Sequence, residues 1–553
     1  MSLITINRVN CKDCYKCVRF CPVKSIRVAD GHAEVVEARC LGDGNCLHIC
    51  PQHAKQVRRD VEVVQSLLAS GKRVIATMAP AAYGLYGPTL PHLVGALHAL
   101  GFARIEETAR TAEAVARACA EVAGEGRGPL ISTACPAVVS LVQKYYPHLA
   151  DHLAPVQSPM VAHAHLLREE QGAEIAVVFI GPCVAKKDEA RAGVIDAALT
   201  FDELNEWLAE AGIDVTDAPA LPFDNPPVGV AGLFPLPNGM LRTAGLPSGD
   251  LAPRVVTVCG LPEVMALLKE LPSLSDIALI EALACSGGCL QGPGAAQGPP
   301  WWTRRANLLA RVGEVGAGAS PSALAASYPP DALCLPCPAE EEIAAILRRT
   351  GKHHVDDEHN CGACGYETCR EKAIAVFQGM AEAEMCIPYM RTRAESFANV
   401  VIRNTPNGIV VVDSTLRVLD ANPAFEKLFA QPLAEMIGRP IGNVLSPKIY
   451  ERVQQSTRPV MRQEAVYGEL VVRELVFPVP EGGMLIGIYN DVTEDMAQRT
   501  RLQRVKKETL GKAHQVIDKQ MRVAQEIAGL LGETTAETKV LLTRLIHLYD
   551  EET

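Results

Sequence analysis

The chain has 553 residues, 48% of them hydrophobic and 5% aromatic, and 53 Lys and Arg stand against 64 Asp and Glu for a net charge of −11. At about 150 residues per domain this implies about three or four domains, and the apolar content excludes a wholly disordered chain. The acidic balance and sparse aromatics argue against a dedicated nucleic-acid binder.

The first residues, MSLITINRVNCKDC, lack the apolar stretch of a secretory signal. The longest uncharged run, Val74 to Ala103, contains Pro80, Pro88, Pro91, His92 and His98, and reads as strand, loop and helix rather than a membrane span. A soluble, cytoplasmic protein without membrane insertion is expected. Nineteen cysteines, an odd number, do not make a disulfide framework in a reducing compartment; thiols at short spacings there are metal ligands.

In chain order, the first group is Cys11, Cys14, Cys17 and Cys21-Pro22, spaced C-x2-C-x2-C-x3-C-P. Two-residue gaps let three thiolates meet one face of a cubane, while the fourth turns to a second cluster. The pattern repeats as Cys40, Asp43, Cys46 and Cys50-Pro51, with an aspartate in a cysteine position. Together these motifs resemble a bacterial two-cluster ferredoxin domain over residues 1–60. The resemblance implies that Cys11, Cys14, Cys17 and Cys50 hold one [4Fe–4S] cluster and that Cys21, Cys40 and Cys46 hold another. Asp43 is then an oxygen ligand or a vacant corner, which makes the second cluster labile or a [3Fe–4S] type. A structural zinc site is the alternative.

The second group is dispersed: Cys135 in Ser-Thr-Ala-Cys-Pro (132–136), Cys183 in Gly-Pro-Cys-Val-Ala-Lys-Lys-Asp-Glu (181–189), and Cys285 and Cys289 in Ala-Cys-Ser-Gly-Gly-Cys (284–289). Each follows an apolar, strand-like run at a Gly/Pro turn, where α/β folds place their sites. These loops resemble the H-cluster motifs of the iron-only, or [FeFe], hydrogenases, over roughly residues 65–350. The resemblance implies that Cys135, Cys183, Cys285 and Cys289 hold a [4Fe–4S] cluster, with Cys289 bridging to a diiron unit. It also implies that Lys186 faces a cyanide, that the backbone at Ala79-Pro80-Ala81 lies beside the other, and that Glu189 is the acid of the second loop. Departures are equally plain. Ala134 stands where the family has a proton-carrying cysteine, Gly181 and Leu283 replace methionines, and the segment from Glu107 to Glu121 lacks the usual relay acids. Since general acid–base groups contribute about 10²–10⁴ in rate, slow hydrogen chemistry is expected. Cluster-assembly relatives with no diiron unit are the alternative for this domain.

Cys361, Cys364, Cys369 and Cys386 follow as C-x2-C-x4-C-x16-C. They resemble a small four-cysteine [4Fe–4S] domain, with three ligands on a glycine-bearing loop and the fourth after a helix over 370–384; zinc is again the alternative. Residues 351–360 read as a polar linker in which His353, His354 and His359 are solvated. Cys119, Cys259, Cys334 and Cys337 carry no expected role.

Residues 396–495 resemble a PAS sensor domain, through Asn-Gly-Ile-Val-Val-Val-Asp (407–413), Asn422-x-x-Phe425 opening a short helix, two late strand runs and Asp491-Val492-Thr493 leading into a helix. With no His, Cys or Trp there, a histidine-ligated haem and a cysteinyl-flavin photoproduct are excluded, and the PAS ligand stays unknown. The tail, 496–553, carries an apolar helical stripe (Leu502, Val505, Val516, Val523, Ile527, Leu530, Leu531), a break at Gly532 and a capping box, Thr534-x-x-Glu537. No nucleotide-binding kinase module follows His514, so output is expected through a separate phosphatase or kinase.

The expected fold is multidomain α/β and α+β: 1–60 two-cluster ferredoxin, 65–350 hydrogenase-like, 351–392 four-cysteine [4Fe–4S], 396–495 PAS and 496–553 a helical hairpin or coiled-coil tail, its second helix starting at the Thr534 box. The module order resembles sensory [FeFe]-hydrogenases, which implies about four clusters, H2 and protons as substrates, an electron carrier such as ferredoxin, diiron maturation proteins and a homodimer through PAS and tail. The alternatives are a turnover subunit of a ferredoxin-linked, H2-producing hydrogenase and a non-enzymatic iron–sulfur interaction protein.

Overall fold

The computed structural model describes residues 2–544 except 127, 192, 248, 250–252, 311–315, 317, 480–482 and 531–537. Its chain divides into two units, Met1–Met390 and Arg391–Thr553.

In the first unit, strand β1 (Ile4–Ile6) is followed by β2 (Ile26–Ala29), β3 (His32–Val35) and β4 (Lys55–Val57). β1 pairs antiparallel with β4, and β2 with β3, so the two ends and the middle of the doubled motif each form a ribbon. Between them two short helices, Lys16–Phe20 and Asn45–Ile49, pack on each other. Each starts after a left-handed residue, Tyr15 (φ 54°) and Gly44 (φ 70°). Cys17 and Cys46, in these two helices, are buried.

Next come β5 (Val74–Met78), β6 (Arg104–Glu107), β7 (Leu130–Ile131), β8 (Ala176–Gly181), β9 (Ala197–Thr200), β10 (Val255–Cys259) and β11 (Leu279–Leu283). They form two parallel sheets, ordered β6-β5-β8-β9 and β10-β11-β7. Every residue of β5, β8 and β11 is buried, as strands covered on both faces by helices require. The run 74–103 is the expected strand and helices, β5, Ala81–Tyr86 and Leu90–Ala99. Among the described residues no helix is long and apolar enough to cross a membrane.

The small cysteine-rich segment differs from expectation in two places. Its helix spans Cys369–Phe377 rather than reaching 384. Gly379 (φ 68°) ends it, with Met380 N–H bonding to Ala375 O (2.8 Å) and Gly379 N–H to Val376 O (3.1 Å). That is a Schellman closure, which only a residue tolerant of positive φ makes cheaply. Nor is 351–360 wholly a solvated linker: Lys352 is 8% exposed. The preceding helix Glu340–Arg349 packs Ile343 and Leu347 against Ala373, and this fold-back draws Lys352 inward.

The second unit contains a five-stranded antiparallel sheet, β12 (Gly408–Val412), β13 (Val418–Ala421), β14 (Val460–Tyr467), β15 (Leu470–Pro478) and β16 (Leu485–Asp491), ordered β13-β12-β16-β15-β14. Three strands rather than two follow residue 459; β14 hides because it alternates weakly and is largely exposed. Asn422 organises the fold's entry. Its Oδ1 accepts from the N–H groups of Ile409 (2.7 Å) and Phe425 (3.0 Å), and its Nδ2 donates to Ile402 O and Asn407 O. Among the described residues the tail is helical over Thr493–Leu530, on which Leu502, Val505, Val516, Val523 and Ile527 are exposed, and again over 538–544, where a second helix was expected. Leu531, Gly532 and the Thr534/Glu537 box lie outside the described residues.

Candidate metal centre

The carboxyl ends of β7, β8 and β11 deliver the three cysteine loops. Cys135 caps the helix Pro136–Tyr145 after β7, Cys183 follows β8, and Cys285 and Cys289 follow β11. All four line one cavity of about 50 Å³ with Gly42, Asp43, Ala134, Lys186 and Leu283. Glycine makes the convergence sterically feasible. A Cβ at Gly288 would stand 2.3 Å from Pro235 O, and one at Gly292 would stand 2.5 Å from Pro182 O. The third loop can therefore lie directly on the second, and Gly294 N–H bonds to Pro182 O (2.7 Å).

These thiols crowd a poorly solvated space. Burial pushes Cys183 up to about 11 and Cys285 and Cys289 well above the ordinary range, and the neighbouring thiolates add to each shift. Lys186 opposes it at Cys183 and Cys289. Three sulfurs this reluctant to ionise alone are suited to a cationic iron group, which replaces their protons. Tetrahedral zinc, at about 2.3 Å from each sulfur, needs ligands drawn to a point. Among the described residues no three His, Cys, Asp or Glu side chains are gathered closely enough for a single ion. Four thiols lining one cavity are the donor set that a [4Fe–4S] cluster takes.

Lys186 Nζ donates to Glu189 Oε2 (2.7 Å) and to Ala134 O (3.4 Å). Glu189 also lines a separate cleft of about 460 Å³ with Lys144, Asp188 and Tyr328. Pro80 is not among the residues lining the cysteine cavity; it lies beyond the end of β5, where Ala79 N–H bonds to Ile180 O (2.8 Å). Gly181 has a local reason: a Cβ there would meet Phe179 at 2.6 Å and Ala79 at 2.9 Å. Leu283 takes its place in the cavity wall.

In the ferredoxin-like portion, Asp43 stands among the three cysteines the sequence assigned to it, since its charge raises Cys21, Cys40 and Cys46. Its own carboxyl is pushed up to about 6 by burial. Cys21 Sγ lies 3.2 Å from Ser25 Oγ and accepts from Ser25 N–H (3.3 Å), while Cys40 and Cys50 accept from Gly42 and Ala54 N–H (both 3.4 Å). Cys11 is partly buried and Cys14 exposed. Lys55, buried, lies by both Cys17 and Cys46; its sequence context gave no hint of this.

Cys361, Cys364, Cys369 and Cys386 line a further cavity with Lys352 and Lys372. Lys352 Nζ is 3.4 Å from Cys386 Sγ, and Lys372, its pKa lowered by burial, feels Cys386, Cys364 and Cys369. Lys372 was within reach of sequence reasoning, being three residues after Cys369 on a helix; Lys352, 34 residues from Cys386, was not. A cation there favours the more negative, reduced form of a bound redox centre. Lys352→Gln is therefore expected to move that centre's midpoint potential negative by on the order of 100 mV. A redox titration followed by electron paramagnetic resonance measures it, and an unchanged potential would leave Lys352 with a packing role alone. Of the remaining cysteines, Cys119 is a buried core residue, pushed up to about 12 by burial alone, while Cys334 and Cys337 are exposed.

Four family descriptions match the chain: the C-terminal domain of the iron-only hydrogenase large subunit (72–293), a PAS fold at 402–494, an Fe–S cluster family at 358–388 and a 4Fe–4S dicluster domain at 3–51. The NADP-reducing hydrogenase subunit HndD of Solidesulfovibrio fructosivorans is 27% identical over 328 residues, 46% of this chain and 55% of that protein. Iron hydrogenase 1 of Clostridium pasteurianum is 24% identical over 369 residues, 53% of this chain and 64% of that protein. The chain thus spans 55% and 64% of the length of these relatives. A variant of the [FeFe]-hydrogenase HydA1 from Chlamydomonas reinhardtii superposes with a TM-score of 0.41 at 17% identity, covering 50% of this chain and 100% of that one.

Proposed function

Given that the chain is an [FeFe]-hydrogenase-like iron–sulfur protein with a PAS domain, we propose that it splits H2 slowly and serves as a hydrogen and redox sensor. The supporting observation is the convergence of Cys135, Cys183, Cys285 and Cys289 with Lys186 on one cavity. A diiron group bridged through Cys289 would supply heterolytic H2 cleavage when bound. The chain's own residues do the rest. Lys186, held by Glu189, offsets negative charge where water is scarce. Leu283 adds an apolar wall, and Pro80 shapes the adjoining turn. Ala134 offers no proton carrier, so proton movement limits the rate, which suits a detector better than a bulk catalyst.

Electrons pass to the cysteine groups of residues 11–50 and 361–386 and on to a carrier such as ferredoxin, and their redox state biases the PAS domain and tail. The exposed stripe Leu502, Val505, Val516, Val523 and Ile527 is the dimer contact, and a separate phosphatase or kinase takes the output. The protein works in the cytoplasm, where thiols stay reduced, after loading by diiron maturation proteins.

Infrared spectroscopy tests the proposal on protein made anoxically with the maturation machinery. CO and cyanide bands that shift on adding H2 are the expected result. Their absence, where a known hydrogenase matures normally, overturns it. The relative named as an NADP-reducing hydrogenase subunit favours a second reading, a turnover subunit of a larger complex, which high specific activity at full diiron loading would select.

A further inference from the structure

Resting on the function proposed above, we infer that the Cys21, Cys40, Asp43 and Cys46 group is the junction joining the hydrogenase-like cavity to the Cys361 group. The group of Cys11, Cys14, Cys17 and Cys50 is then a side branch that serves outside carriers.

The loop carrying Asp43 forms part of the wall of the hydrogenase-like cavity. Gly42 and Asp43 line it together with Cys183, Cys285 and Cys289. Two glycines let this loop touch both neighbouring cysteine loops. A Cβ on Gly42 would stand 3.3 Å from Ala185 Cα in the second loop, and one on Gly44 would stand 2.5 Å from Pro293 Cγ beyond the third. Asp43 is also among the charges felt at Cys285.

On its other side the same group meets the small iron–sulfur segment. Tyr366 is buried, 4% exposed, and its phenol has no hydrogen-bond partner among the described residues. That phenol feels both Cys364 and Cys21. Lys24 Nζ lies 6.0 Å from the Tyr366 ring centre and senses the same two thiols. The backbones are locked together around them. Arg19 donates to Ala363 O (2.9 Å), Arg39, next to Cys40, donates to Gln378 Oε1 (2.9 Å), and Val28 N–H bonds to Met380 O (3.0 Å). A Cβ on Gly365 would stand 3.0 Å from Val18 and 3.1 Å from Arg19 N. On the Cys11 side the segment also makes contact through the Glu382 carboxylate, at Gly31 N–H (3.3 Å). Cys14, in contrast, is exposed, the placement an outside carrier requires.

The electron count closes within the chain. Each H2 yields two protons, released to water, and two electrons, one reducing the Asp43 group and one the Cys361 group. Asp43 thus stands at the junction that an electron bound for the Cys361 group crosses.

The test uses the full chain with reconstituted clusters. After chemical reduction, the paramagnetic signal of the Cys361 group should be broadened by a close neighbour. Cys46→Ala should remove that broadening and Cys14→Ala should retain it. On mixing with H2 and freezing, Cys46→Ala should lose reduction of the Cys361 group on the timescale at which it is complete in the natural chain. Broadening lost with Cys14→Ala and kept with Cys46→Ala overturns the inference, as does H2-driven reduction of the Cys361 group in Cys46→Ala at the natural rate. Should Cys46→Ala not fold, pulsed distance measurement on the unaltered chain decides the order: the Cys361 centre must lie nearer the Asp43 centre than the Cys11 centre. Chemical reduction needs no hydrogen chemistry. If H2 reduces nothing while the broadening pattern holds, the proposed function fails and the junction stands.

Discussion

Replacing Ala134 with cysteine is expected to raise H2 turnover by about 10²–10⁴-fold, the usual contribution of a positioned acid–base group. Ala134 adjoins Cys135 in the cavity wall, and its carbonyl accepts from Lys186. It is only partly buried, so a thiol there meets the cavity on one side and the route to solvent on the other. A methyl group has no proton to move. Turnover must be compared with the natural chain at equal diiron loading, read from the infrared bands, so that loading is not mistaken for catalysis. Ala134→Ser serves as the control: similar in size to cysteine, its hydroxyl is far less acidic and should recover much less. Equal rates for Ala134→Cys and the natural chain would mean that proton delivery is not limiting, and the slow-detector proposal would lose its chemical basis.

Lys187→Met is expected to destabilise the first unit by about 3 kcal/mol. Lys187 is fully buried, and its ammonium bridges Asp60 (3.1 Å) and Glu203 (2.8 Å). Asp60 joins the ferredoxin-like portion to the hydrogenase-like one, and Lys187 follows Lys186 directly. The bridge therefore ties the cavity's cation loop to the domain junction. Removing the cation strands two carboxylates at about a tenth exposure. Each keeps other donors, Arg58 on Asp60 and Thr200 N–H and Oγ1 on Glu203, which holds the loss toward the low end of the 3–5 kcal/mol typical of broken buried pairs. Combining Lys187→Met with Asp60→Asn and Glu203→Gln should recover part of the stability, because no unpaired charge then stays buried. Thermal unfolding under anoxic conditions measures both. A single variant that melts with the natural chain would show the bridge to be energetically idle.

Most of the candidate site was legible because cluster chemistry imposes spacing along the chain. Two-residue gaps, a proline after the last cysteine and glycines beside Cys285 and Cys289 are local requirements, and local requirements leave marks in sequence. Asn422 was legible for the same reason: a cap needs its partner three residues on, and Phe425 is there. The helix after Cys369 was drawn too long because Gly379 sits in a run of good helix formers, and only its positive φ and buried Met380 disclose the stop.

The sequence by itself determined the cysteine groups and their spacing, the aspartate at position 43, the alanine at 134 and the order of the modules. Only the tertiary structure decided which groups adjoin. That Asp43 borders the Cys285 cavity, that Tyr366 stands between Cys364 and Cys21, and that Lys352 reaches Cys386 depend on residues 34 to more than 300 positions apart. Such neighbours are selected by packing shape and by the charge a buried thiolate group needs beside it. Neither writes a periodic or spaced pattern into the chain.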